Sequence, residues 1–198
     1  MKIAVFNLKG GQGKSSIALN LALSLKFDVI SNDKITKLEK ILPEDNFMKI
    51  EKDQDFPDII ENLNVIYDLG GWIDNRAIKP IKEADLVIIP MINTEMNNEV
   101  SINSINQVKQ FNDNIMLIVN RSKKNDFEYM KNDVIKTYFP NDDFPIFEIM
   151  DTTAFEQMLK RKMPIQEIVE VEPLLKYNYR KVNKQFNEII NFINNMMC

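Results

Sequence analysis

Near the start of the chain run Lys9, Gly10, Gly11, Gln12, Gly13, Lys14, Ser15 and Ser16. Those residue types in that order suit the binding of phosphate. Glycines let successive backbone N–H groups turn inward around anionic oxygens. A helix starting near Lys14 would aim its positive end at the same point. The Lys14 ammonium can reach β- and γ-phosphates, and the Ser15 hydroxyl can ligate Mg²⁺. The usual phosphate-loop spacing, G-x-x-x-x-G-K-[ST], asks for a glycine where Leu8 stands. The strict pattern therefore fails while the physics behind it is intact.

Other polar residues follow apolar, strand-like runs. Asp68 ends the segment Val65-Ile66-Tyr67 and is followed by Leu69-Gly70-Gly71. A carboxylate at the carboxyl end of a strand can hold Mg²⁺, usually through water. Gly70 and Gly71 can bring backbone N–H groups near a γ-phosphate. Asp33, in Ser31-Asn32-Asp33-Lys34-Ile35, and Asn120-Arg121, after Ile115 to Val119, hold similar places. Taken alone, Asp33 also reads as a turn or helix-capping aspartate and Asn120 as a turn former. Trp72, beside Gly71, reads as core or as a moving part near the phosphates.

What is missing narrows the chemistry. The sequence has no histidine, which removes Ser-His-Asp hydrolysis and histidine metal ligation. Its one cysteine, Cys198, can form neither an internal disulfide nor a thiolate zinc site. A net charge of −4 makes the molecule as a whole no magnet for nucleic acid, though a local basic patch remains possible. Met1 leads into a strand-like segment with no signal peptide, and no apolar run is long enough to span a bilayer. The expectation is a cytoplasmic protein.

These residues need a scaffold. Strand-like apolar runs occupy residues 2–7, 28–31, 64–69, 85–91, 115–119 and 145–149, with an edge strand over 47–50. Helical patterns occupy 15–25, 36–41, 57–63, 75–84, 97–111, 127–139, 152–161 and 172–197. Strands alternate with helices, and fully apolar strands imply burial on both faces. The fold class expected is α/β, a doubly wound, mostly parallel sheet with a phosphate loop, in one domain over 1–198.

The stretch Lys9-Gly10-Gly11-Gln12-Gly13-Lys14-Ser15-Ser16 resembles the deviant phosphate loop, K-G-G-x-G-K-[ST]-[ST], of the ParA/MinD ATPases, most closely the compact ParA type that partitions plasmids or chromosomes. The resemblance covers most of the chain. It implies ATP and Mg²⁺ as cofactors, hydrolysis to ADP and phosphate, and a homodimer formed on ATP. Nucleotide contacts would come from Lys9, Gly10, Gly11, Gln12, Gly13, Lys14, Ser15, Ser16, Gly70, Asn120 and Arg121. Lys9 matches the lysine that reaches across the two-fold to the partner's phosphates. Asp33 matches the second Asp of D-x-D-P-Q, which orients the attacking water, although the first Asp, the Pro and the Gln are replaced. Asp68 matches the Walker B position, and Asn120 a residue that faces adenine. The implied catalytic set is Lys9, Lys14, Asp33 and Asp68; the implied metal set is Ser15, Asp33 and Asp68.

The resemblance further implies a centromere-binding adaptor partner, non-specific DNA binding and nucleoid association in a bacterial or archaeal cytoplasm. The DNA patch would comprise Arg161, Lys176, Arg180 and Lys181, which otherwise read as a solvated face. Three alternatives stand beside partition: positioning of a protein cargo, a MinD-like membrane switch, and a related ATP-dependent synthetase. The apolar stripe Phe186, Ile189, Ile190, Ile193 and Met197 lacks basic residues after Lys184, so it reads as core or dimer packing rather than as a membrane anchor.

Overall fold

The computed structural model describes residues 1–33, 36–59, 63–71 and 75–197. Trp72, Cys198, the Lys34-Ile35 part of the Asp33 segment and residues 60–62 of the helix expected over 57–63 lie outside them.

A seven-stranded sheet forms the centre, in the order β3-β2-β4-β1-β5-β6-β7. Its strands are β1 Lys2–Val5, β2 Asp28–Ser31, β3 Phe47–Lys49, β4 Val65–Asp68, β5 Leu86–Met91, β6 Ile115–Ser122 and β7 Ile146–Met150. Every neighbouring pair is parallel. The chain leaves β1 to build one wing, β2 to β4, then recrosses to build the other. In such sheets ligands bind beyond the carboxyl ends of the strands, where the winding reverses.

Burial on both faces explains the unbroken apolar strands. Ile3 and Val5 of β1, Leu86 and Ile88 of β5, and Met116 and Ile118 of β6 enter one core. Helices α1 Lys14–Leu25, α6 Ala154–Arg161, α7 Ile165–Val171 and α8 Pro173–Met197 close it. Ala4, Phe6, Val87, Ile89, Leu117 and Val119 enter the other core. That core is closed by α2 Asn75–Glu83, α3 Glu95–Val108 and a helical segment built from α4 Asp126–Tyr129, a π-helical stretch Met130–Ile135 and α5 Lys136–Tyr138. Phe186, Ile189 and Ile193 of α8 are fully buried, so its apolar stripe is core; Met197 is exposed. Truncating one such residue costs about 3–5 kcal/mol.

The elements depart from expectation in three places. The helix expected over 36–41 is a 3-10 turn, Leu38–Lys40, in a charged segment that offers no continuous apolar stripe. Residues 57–59 and 63 are not helical. Helix α7 was not anticipated, because Pro164 and the closely spaced glutamates hide its short apolar face. Its first amide, Ile165 N–H, donates 2.9 Å to Oδ1 of Asn20, a fully buried residue of α1. Pro164 at the N-cap has no side-chain acceptor to give, so α1 caps α7 from outside.

Candidate functional site

The loop between β1 and α1 is held open by its neighbours. Asn7 Nδ2 donates to the Pro90 carbonyl and to Ser101, and Asn7 Oδ1 accepts the Lys9 amide at 2.8 Å. The Leu8 amide donates to the Ser104 hydroxyl. Gln12 is buried, and its side-chain oxygen accepts the Ile92 amide at 2.9 Å. The Gln12 side chain thus braces the loop against the end of β5. Gly11 and Gly13 have φ of 79° and 92°, in the left-handed region that glycine enters without a Cβ penalty.

Lys14 opens α1 and is 6% exposed. Its ammonium donates to the carbonyls of Asn7 at 3.2 Å and Lys9 at 3.1 Å, inside the curl of its own loop. Burial lowers its pKa, while the charges of Asp68 and Asp33 oppose that shift. Asp68 ends β4, in register with Val5 of β1 and Ser31 of β2. It is fully buried. Burial first, and then the charge of Asp33, push its carboxyl up to about 6, against the hydroxyls of Ser15 and Ser31 and the charge of Lys14. The Ser31 hydroxyl lies 3.4 Å from Asp68 Oδ2, whereas Oδ1 is sealed from solvent without a hydrogen bond of ordinary geometry. Lys14, Ser15, Asp33 and Asp68, far apart in sequence, therefore share one electrostatic site.

Lys14, Ser15 and Asp33 line a cleft of about 780 Å³, with Asp68 buried behind its wall, a volume within the range of small-molecule and cofactor sites. Its wall includes Gly10, Gly11, Gly13, Lys14, Ser15 and Ser16, with Asp33, Gly70 and Gly71 opposite and Arg121 at the β6 end. A buried carboxylate beside an ammonium and a serine hydroxyl, with one oxygen lacking a hydrogen bond of ordinary geometry, fits a hydrated divalent cation. Among the described residues no group of three or more His, Cys, Asp or Glu could hold a metal, so a cation here would need phosphate oxygens as further ligands.

The other expected residues take varied positions. Gly71 lies so close to the loop that a Cβ would come 2.7 Å from the Leu8 carbonyl. The Gly70 amide donates 2.7 Å to Asn32 Oδ1, so meeting a phosphate would require that bond to open. Asn120 is buried; its amide nitrogen donates 2.8 Å to the Gln12 carbonyl, and its Oδ1 has no partner. Arg121, at φ 50°, stands exposed on the rim and also borders a second cavity lined by Asp151, Thr152, Thr153, Glu156 and Tyr179. Lys9 lies outside the cleft lining, and its ammonium makes no ion pair among the described residues.

Of the basic residues, Arg161 pairs with Glu172, and Lys181 approaches Glu148 at 4.0 Å. Lys176 and Arg180 are exposed and make no ion pair among the described residues. Sequence reasoning missed Asn32, Lys52 and Arg76, all of which line the cleft. Lys52 and Arg76 sit in charged stretches where nothing sets them apart.

No protein-family model and no curated protein sequence matches the chain. Solved structures do. McdA of Cyanothece, without nucleotide, superposes with a TM-score of 0.68 at 16% identity, over 94% of this chain and 96% of that one. MinD of Pyrococcus horikoshii, in complex with Mg-ADP, gives 0.63 at 14%, over 96% and 94%. A ParA-family ATPase of Chlorobium tepidum gives 0.60 at 16%, over 96% and 98%.

Proposed function

We propose, from the premise that this chain has the ParA/MinD-type fold, that it is an ATP-switched ATPase acting as one unit over 1–198. The observation that carries this reading is the fully buried carboxylate of Asp68, one oxygen of which has no hydrogen bond of ordinary geometry, beside Lys14 and Ser15 of the cleft wall. Loop amides and Lys14 bind the phosphates of ATP; Ser15 and Asp68, with Asp33 nearby, hold Mg²⁺ and its water. Bound Mg²⁺ supplies neutralisation of the charge that develops on the transferring phosphoryl group. Asp33 orients the attacking water. Lys9 projects to the γ-phosphate of a second subunit, so that ATP holds a homodimer together.

The switch serves positioning. On the finer reading the cargo is a plasmid or chromosome, engaged through a centromere-binding adaptor while the dimer rides on non-specific DNA of the nucleoid. One observation favours a protein cargo instead. Leu174 and Tyr177 of α8 are 82% and 86% exposed, beside Lys176 and Arg180, and large apolar side chains suit a protein partner better than a DNA backbone.

Calorimetry and phosphate release test the reading. Lys14→Ala should lose ATP binding by at least about tenfold, some 1.4 kcal/mol. Asp33→Ala should keep it and lose hydrolysis. Affinity retained in Lys14→Ala within about threefold would sink the assignment.

A further inference from the structure

The cleft has a cationic wall that the phosphate loop does not account for. Lys52, just beyond β3, and Arg76, in the first turn of α2, line it together with Asn32, Asp33, Gly70 and Gly71. The sheet order fixes which end this is. Arg121 stands at the tip of β6 on one wing; Asp33, Asp68, Lys52 and Arg76 cluster at the tips of β2, β3 and β4 on the other. A nucleotide with its β-phosphate in the loop and its base toward Arg121 would point its terminal phosphate at the β2–β4 side.

Arg76 ties α2 to the turn that follows β3. Its Nη1 donates to the carbonyls of Glu51 at 3.1 Å, Gln54 at 3.2 Å and Lys52. One guanidinium nitrogen has only two hydrogens, so the three carbonyls share them. A guanidinium bonds an anionic oxygen more strongly than a neutral carbonyl, because both partners then carry charge. A phosphate brought to this end competes with these carbonyls for Arg76, and what it displaces there is the turn over 51–54. The same helix has a second tether to the same segment. Lys79 Nζ bonds the Phe56 carbonyl and Asp58, but Lys79 does not line the cleft.

We propose that Arg76, assisted by Lys52, is a specificity-determining residue that reads the third phosphate of the bound nucleotide from the wall facing the phosphate loop, and passes its presence to the 51–54 turn. This rests on the nucleotide reading above. It adds a discriminating cation from the chain's own α2, distinct from Lys14 below the phosphates and from Lys9 of a second subunit. A diphosphate ends short of Arg76 and leaves the carbonyl contacts in place; a triphosphate draws the guanidinium away and frees the turn.

Titration of the full chain with Mg-ADP and with Mg-AMP-PNP, a triphosphate analogue that is not hydrolysed, tests this, together with hydrogen exchange of residues 51–55. The wild type should prefer the triphosphate, and exchange over 51–55 should rise only when it binds. Arg76→Gln should lower the triphosphate-to-diphosphate preference about tenfold with diphosphate affinity unchanged, and abolish the nucleotide-dependent change in exchange. Arg76→Lys should recover part of the preference. Lys79→Ala, which removes the neighbouring tether at Phe56 and Asp58 away from the cleft, should leave the preference at its wild-type value. An unchanged preference in Arg76→Gln, or an equal loss in Lys79→Ala, overturns the proposal while leaving the nucleotide site standing. A wild type that binds neither nucleotide overturns both.

Discussion

The side-chain amide nitrogen of Asn120 lies 2.8 Å from the Gln12 carbonyl and fills the space that a Cβ on Gly13 would need, 2.1 Å from that nitrogen. The tip of β6 and the phosphate loop are interlocked there across more than a hundred residues of sequence. Gly13 is therefore fixed twice, by its φ of 92° and by Asn120.

Gly13→Ala should cost about 1–3 kcal/mol from backbone strain alone, with more from the clash, and should weaken nucleotide binding. Adding Asn120→Ala should recover the clash component but not the strain. Denaturant melts of the single and double variants measure this. A double variant as stable as the wild type would show that φ carries no penalty.

Asp68 predicts a pH effect. Its folded pKa of about 6 stands above the ordinary 3.8, so between those values the folded protein keeps a proton that the unfolded chain has released. The contribution of Asp68 to stability is full below about 4, is lost as pH rises through about 6, and leaves a buried charge above that. The difference is about 3 kcal/mol at 1.36 kcal/mol per pH unit. Asp68→Asn should thus stabilise the metal-free protein at pH 8 by up to that amount, with the gain vanishing toward pH 4, while losing Mg²⁺-dependent nucleotide binding. Urea unfolding at both pH values reads it; a gain independent of pH would contradict the origin given.

Lys9→Ala should spare ATP binding and weaken the ATP dimer. Within one subunit the Lys9 ammonium is not part of the cleft lining, so its loss removes no local phosphate contact. Sedimentation with Mg-ATP decides, and an undiminished dimer would remove the role across the two-fold.

DNA binding, if it occurs, should be modest. With Arg161 and Lys181 next to carboxylates, Lys176 and Arg180 remain, or about four cations in a dimer. At about −0.9 per phosphate contact, log affinity against log salt should fall with a slope of roughly −3 to −4. Arg180→Glu should abolish binding and spare ATPase activity. Polarisation assays with ATP and ADP across salt test this. No binding at low salt with ATP, or equal binding with ADP, favours the protein-cargo reading.

Much of this was legible in the sequence. Apolar runs such as Leu86 to Met91 announce strands buried on both faces, and the glycine-lysine-serine run announces the loop, because both depend on local residue order. Helix α7 was not legible, since the acceptor that caps it, Asn20, lies in α1. The braces of the loop were equally hidden: Gln12 and Asn120 were read as ligand contacts, yet their side chains bond backbone groups at Ile92 and Gln12. Arg76 became visible only when α2 folded against the turn after β3.

The capping of α7 by Asn20 also bears on how the molecule is made. Helix α1 leaves the ribosome long before α7 and α8, yet its apolar residues share a core with Ile165, Phe186 and Ile189, and it touches α8. That side of the nascent chain stays uncovered until some 170 further residues are synthesised. Contacts so distant in sequence close slowly, and exposed apolar surface invites capture by chaperones or by other chains. The phosphate loop is translated well before the helices that complete its support.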